Sequence, residues 1–193
     1  MLAACSLGQG VGEATGEVHL PDCAVENTAY SLEPSFFSAD YVSDPRTRVP
    51  GGAERTVVLR MQRGGYRESL SDGLTILLRD ITEIQPLLPM SIEISRDEGA
   101  MALMTLYLNE TCESGFPREF WTVPGVLQGV SGTLTLDSVH SPSAPIAGGT
   151  GEFSGTFTGV RFVDVGAPDT RFAVLDGWFA FPYQRGRPAQ RFP

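Results

Sequence analysis

Residues 152–162 read EFSGTFTGVRF. Phe153, Gly155, Phe157 and Gly159 alternate with Glu152, Ser154, Thr156 and Thr158. A two-residue period puts successive side chains on opposite faces of a β-strand. One face here is aromatic or bare, the other hydroxyl and carboxylate. This pattern predicts a strand in a sheet that is covered on one side and wet on the other.

The same pattern spreads outward from this stretch. GTLTLDSV (132–139) sets Leu134 and Leu136 against Thr133, Thr135 and Asp137. TVVLRMQ (56–62) sets Val57, Leu59 and Met61 against Val58, Arg60 and Gln62. GEVHL (16–20), FFSADYV (36–42), GLTILLRD (73–80), SIEIS (91–95) and MALMTLYLN (101–109) are further short apolar runs. Gly64-Gly65, Ser71-Asp72-Gly73 and Asp97-Glu98-Gly99 punctuate them where hairpin turns are expected. RFAVLDGWFAFPY (171–183) is apolar at both parities, which predicts a central strand or one between two layers. Leu77, Ile81, Ile84 and Leu88 recur at helical spacing, and Pro86 limits any helix there to a short one near 79–88.

Many short strands with frequent turns predict an all-β domain. The expected form is an antiparallel β-sandwich, with a β-barrel as the alternative and at most one short helix. Gly155 and Gly159 are expected to mark a close sheet approach or a bend. A chain of 193 residues suits one domain. SLGQGVGEATG (6–16) has no periodicity and is rich in glycine, so residues 1–16 are expected to be tether and 17–193 the single β-rich domain.

The net charge of −9 repels phosphate backbones, which argues against nucleic acid as a partner. All 14 basic residues are arginine. No apolar run nears the ~20 residues that span a bilayer. A catalytic constellation is not visible. There is no G-x-S-x-G elbow, and His19 and His140 read as an edge-strand and a loop histidine. His19 and Cys23 have H-x3-C spacing without a second pair of ligands, and no calcium loop occurs. The expectation is therefore a non-enzymatic protein with no cofactor and no metal site. Trp121 and Trp178, the two tryptophans, are the weak candidates for ligand binding, because an exposed indole face offers apolar area to a sugar ring. Core packing is their ordinary role. Arg185, Arg187 and Arg191 form a basic tail that reads as a solvated terminus.

Three cysteines remain: Cys5, Cys23 and Cys112. Cys23 and Cys112 each follow a candidate strand, where a disulfide can clip a sheet, although two separate thiols in a reducing compartment would read the same. Cys5 is then the odd one. Leu2-Ala3-Ala4-Cys5 resembles the lipobox of bacterial lipoproteins: an aliphatic residue, two small ones, then cysteine. The resemblance implies a signal peptide truncated here to Met1, and lipidation at Cys5. It also implies a membrane partner through an N-terminal lipid anchor, in the bacterial cell envelope. Ser6 after the cysteine favours, by the same resemblance, the outer membrane. Through the expected tether the domain would stand roughly 15–20 Å off the bilayer. The function expected is a cell-envelope lipoprotein acting through binding or structural contacts, with an envelope protein or polysaccharide as partner. The alternative is a module that binds carbohydrate or a small apolar ligand.

Overall fold

In a computed structural model the protein is all-β and antiparallel. The structure describes residues 6–8, 10–23, 25–42, 56–63, 71–97, 99–112, 125–140 and 150–184. Its strands are β1 (Ser6–Gly8), β2 (Val11–Leu20), β3 (Val25–Leu32), β4 (Phe36–Val42), β5 (Thr56–Gln62) and β6 (Asp72–Leu78), then β7 (Met90–Glu93), β8 (Ala102–Leu108), β9 (Val126–Ser138), β10 (Thr150–Val163) and β11 (Phe172–Gln184). Among the described residues one short helix, α1 (Ile81–Ile84), runs into a 3-10 turn at Gln85–Leu87 that contains Pro86. It lies where the helical spacing predicted it.

All the described strands belong to one sheet, ordered β1-β4-β5-β6-β8-β9-β10-β11-β2-β3, with β7 also paired to β9. The two ends of this order meet. Ser6 of β1 pairs with Ala39 of β4, and Leu20 of β2 pairs with Val25 of β3, so β1 and β2 together run alongside β4 and β3 as one hairpin. On its far sides that hairpin pairs with β11 and with β5. The sheet is therefore strongly curled and barrel-like, rather than two separate layers.

Burial follows parity. Leu134, Leu136, Phe153, Phe157, Leu175, Phe179 and Phe181 point into the curl and are buried. An aromatic layer fills one end: Phe181 lies 5.3 Å from Phe153 and 5.7 Å from Phe37, centroid to centroid. Fully burying such a ring is worth about 1.5–3 kcal/mol, so this layer is a main source of cohesion. His140 joins it, edge-on to Phe153 at 6.3 Å. It is thus a core residue and not an ordinary loop histidine. The space for its ring exists because residue 151 is glycine; a Cβ there would sit 2.5 Å from the His140 Cγ.

One expectation needs correction. Residues 6–8 and 11–16 are not tether but paired strand. The glycines that suggested flexibility instead permit close approach. A Cβ on Gly10 would lie 2.5 Å from Phe181 Cβ and 2.7 Å from Phe37 Cγ, and one on Gly12 2.8 Å from the Trp178 carbonyl oxygen. Residues 6–8 and 11–16 therefore belong to the sheet, ahead of the expected boundary at residue 17. β11 is flanked by β10 and β2, the central position expected for RFAVLDGWFAFPY, and its outer parity is open to solvent. Val174, Asp176 and Trp178 face solvent.

The glycines of β10 divide the two expected roles. A Cβ on Gly155 would lie 2.5 Å from the Thr135 carbonyl oxygen, a close approach. Gly159, at φ +58°, sits where the register between β10 and β11 shifts. A left-handed residue in such a bulge is best served by glycine.

Candidate binding face

The outer surface of β7, β9, β10, β11 and β2 carries the polar half of the alternating pattern. Cross-strand register lines its side chains into rows. One row runs Ser91–Thr135–Thr156–Trp178–Glu13 across five strands. At about 4.8 Å per strand it is about 19 Å long. A second row holds Glu93, Thr133 and Thr158. A third holds Ser138, Ser154, Ala180 and Val11.

Trp178 is the large ring on this face, 42% exposed, and Val11 beside it is 59% exposed. Its neighbours differ by direction. Along β11, Ala180 and Pro182 extend an apolar strip one way and Asp176 lies the other way. Across the strands stand Thr156 and Glu13. The β9 hydroxyls are tied locally: Ser91 Oγ and Thr135 Oγ1 share a bond of 2.9 Å, and Thr133 Oγ1 donates to Glu93 Oε1 at 3.1 Å. Asp176 Oδ1 accepts the Gly159 N–H at 2.6 Å, which ties β11 to the bulge. Among the described residues, the side chains of Thr156, Thr158, Glu13 and Trp178 have no protein hydrogen-bond partner. The face thus offers one flat apolar ring with unspent donors and acceptors around it.

A second polar cluster lies at the opposite end of the curl and is of another kind. Asp72 is fully buried. Its Oδ1 accepts the backbone N–H groups of Glu110 and Thr111 at 2.9 and 3.1 Å. Its Oδ2 accepts the Tyr30 and Thr111 hydroxyls at 3.1 and 2.5 Å. Four donors leave the carboxylate saturated. Burial and the adjacent Asp72 charge both push the Tyr30 phenol well above its ordinary value, so it stays a donor. Arg63 closes the cluster, donating to Glu110 Oε2 at 3.3 Å and to the Ser31 carbonyl. Next to it Cys23 and Cys112 come together at disulfide distance, with Cα atoms 5.1 Å apart and a sequence separation of 89. Together these bonds join the β2–β3 hairpin to β6 and the turn after β8. The cluster has no free capacity for chemistry; it is a latch.

The remaining candidates fall as follows. His19 lies on the outer face, stacked on Phe172 at 5.1 Å, and Arg161 sits 4.3 Å over that same ring. Cys23 is committed to Cys112, so the H-x3-C spacing does not gather ligands. Among the described residues no three His, Cys, Asp or Glu side chains stand close enough to hold a metal ion. Arg171 bridges Asp164 at 2.8 Å and Asp22 at 2.5 Å, binding the β10–β11 turn to the β2–β3 turn. Cys5, Trp121, Arg185, Arg187 and Arg191 lie outside the described residues. Among the described residues no helix is long and apolar enough to cross a membrane.

Of the row, the sequence singles out Trp178, which is exposed here, and gives no sign of Glu13, Thr156 or their alignment. The hydroxyl parity of GTLTLDSV and EFSGTFTG was visible, yet nothing in it told which strands were neighbours. Asp72 and Tyr30 were missed as well. Asp72 reads as an ordinary turn residue until its four donors are seen. The chain matches no protein-family model, no curated protein and no solved structure.

Proposed function

We propose that this protein is a non-enzymatic binding domain of the bacterial cell envelope that takes up glycan on its outer sheet face. The observation that supports this reading is the row Ser91–Thr135–Thr156–Trp178–Glu13, with an exposed indole between a hydroxyl and a carboxylate. A sugar ring has an apolar face of axial hydrogens and a rim of hydroxyls. Trp178 complements the first by stacking. Thr156 and Glu13 complement the second by hydrogen bonds. A small apolar ligand would leave those polar groups desolvated and unpaired, at about 1–3 kcal/mol each, so the face favours sugar over lipid.

Attachment at Cys5 remains part of the proposal, supported by Leu2-Ala3-Ala4-Cys5. Since β1 starts at Ser6, an acyl group on Cys5 would hold the sheet against the bilayer without a long tether. Titration with soluble glycans, followed by tryptophan fluorescence and calorimetry, tests the binding reading. The expected result is saturable binding that Trp178→Ala weakens about tenfold, equal to about 1.4 kcal/mol. Binding that is unaffected by this substitution would place the ligand elsewhere. Mass spectrometry of protein expressed from the full-length gene tests the anchor; an unmodified Cys5 refutes it.

A further inference from the structure

The charge on the outer face narrows the ligand beyond glycan in general. Glu13, Glu17, Glu93, Asp137, Glu152 and Asp176 all lie on this surface. Its one described cation is Arg161, whose guanidinium is spent over Phe172 and on the Pro168 carbonyl. The carboxylates are not spread evenly about the indole. Glu13 is directly opposite Trp178 across the β2–β11 pair, which puts the two Cβ atoms about 5 Å apart. Asp176 is two residues earlier on the same face of β11, about 7 Å away along the strand. Two edges of the stacking ring are therefore anionic, while the edge toward Ala180 and Val11 is apolar.

We infer that the face selects glycans bearing free amino groups, of the 2-amino-2-deoxyhexose class, over neutral or uronate-bearing ones. The inference rests on the glycan reading above and specifies its ligand. A pyranose lying flat on Trp178 carries its ring substituents outward in the plane of the ring. An ammonium at such a position points to Glu13 or Asp176, depending on which way the sugar lies. An N-acetyl group at the same position has no charge to offer them. A uronate is repelled by both. The carboxylates are solvent-exposed or partly so, and one such contact is worth at most about 1 kcal/mol, a preference of about fivefold. The attraction is screened by salt, since the Debye length falls from about 10 Å at 0.1 M to about 3 Å at 1 M.

Chitosan and chitin oligosaccharides of equal length provide the test, because they differ in acetylation of the amine. Calorimetric titration of the intact protein is expected to show the deacetylated oligomer binding about fivefold more tightly at low salt. That ratio should fall toward one as salt is raised, and in Glu13→Gln and Asp176→Asn, which remove charge but keep shape. Equal affinity for the two oligomers overturns the inference and leaves the glycan reading standing. Failure of both to bind overturns the glycan reading with it. A preference for the deacetylated oligomer that survives in Trp178→Ala, and is untouched by Glu13→Gln, overturns the inference too. It would then be diffuse attraction of a cation to a chain of net charge −9.

Discussion

Two polar regions of this molecule use the same residue types for opposite ends. The latch sets a carboxylate (Asp72), a phenol (Tyr30) and a hydroxyl (Thr111) inside the structure. The outer face sets carboxylates, hydroxyls and an indole in water. In the latch every lone pair of Asp72 meets a protein donor, as burial demands, because an unpaired buried charge would cost several kcal/mol. On the face, water satisfies the same groups, and nothing forces them to pair with one another. The difference teaches where to look for recognition. A saturated buried carboxylate holds strands together, while an unpaired exposed one beside a bare aromatic ring has capacity left for a ligand.

That contrast can be broken most sharply at the disulfide. Replacing both Cys23 and Cys112 by alanine should cost about 4 kcal/mol of unfolding free energy, near the chain-entropy figure for a loop of this length. Urea unfolding under oxidising conditions measures it; a loss below about 1 kcal/mol would show that the latch does not depend on the bond. Asp72→Ala comes next. It strands two backbone N–H groups and two hydroxyls, and should cost about 3 kcal/mol with no change in the glycan affinity of the folded fraction.

A smaller effect sharpens the comparison through pH. The folded state holds the Tyr30 proton more tightly than the unfolded chain does. Its contribution is thus complete below the ordinary phenol range near pH 10 and declines as the pH rises above it, since only the unfolded state then releases the proton. The chain has no lysine, so tyrosines dominate side-chain titration in that window. Wild-type unfolding midpoints should drop between pH 9 and 11, and Tyr30→Phe should flatten part of that drop. Equal slopes for both proteins would remove Tyr30 from the latch. The smallest stability effect belongs to the face. Trp178→Ala should change unfolding free energy by no more than about 0.5 kcal/mol, although it is the substitution expected to cost most in binding. A large loss of stability would make Trp178 a packing residue and dissolve the contrast.

Much of the fold was legible in the chain, and the reasons are local. EFSGTFTG and GTLTLDSV show their buried and wet faces because strand parity is a property of successive residues. The short helix at Ile81 was visible through its spacing and its end through Pro86. The Cys23–Cys112 pairing was legible from two cysteines at strand ends. SLGQGVGEATG misled because glycine has two opposite uses. It loosens an isolated segment, and it admits the backbone to places where Phe37, Phe181 and the Trp178 carbonyl leave no space for a Cβ. Only the neighbours distinguish them. RFAVLDGWFAFPY showed its central place but not its outer face: Trp178 and Val174 look like core by type, yet they fall on the parity that the curl turns outward.

The antiparallel all-β character, the division of each strand into an apolar and a polar side, and the charge and arginine-only basicity are written in the chain. These follow from period, composition and turn residues, which act over a few positions. The tertiary structure alone decided that β9, β10, β11 and β2 lie side by side, and hence that Thr156, Trp178 and Glu13 share one row. It likewise brought Asp72 to Tyr30 and Thr111. Such meetings depend on hydrogen-bonded register between strands far apart in the chain, and on how tightly the sheet curls, neither of which any single stretch encodes.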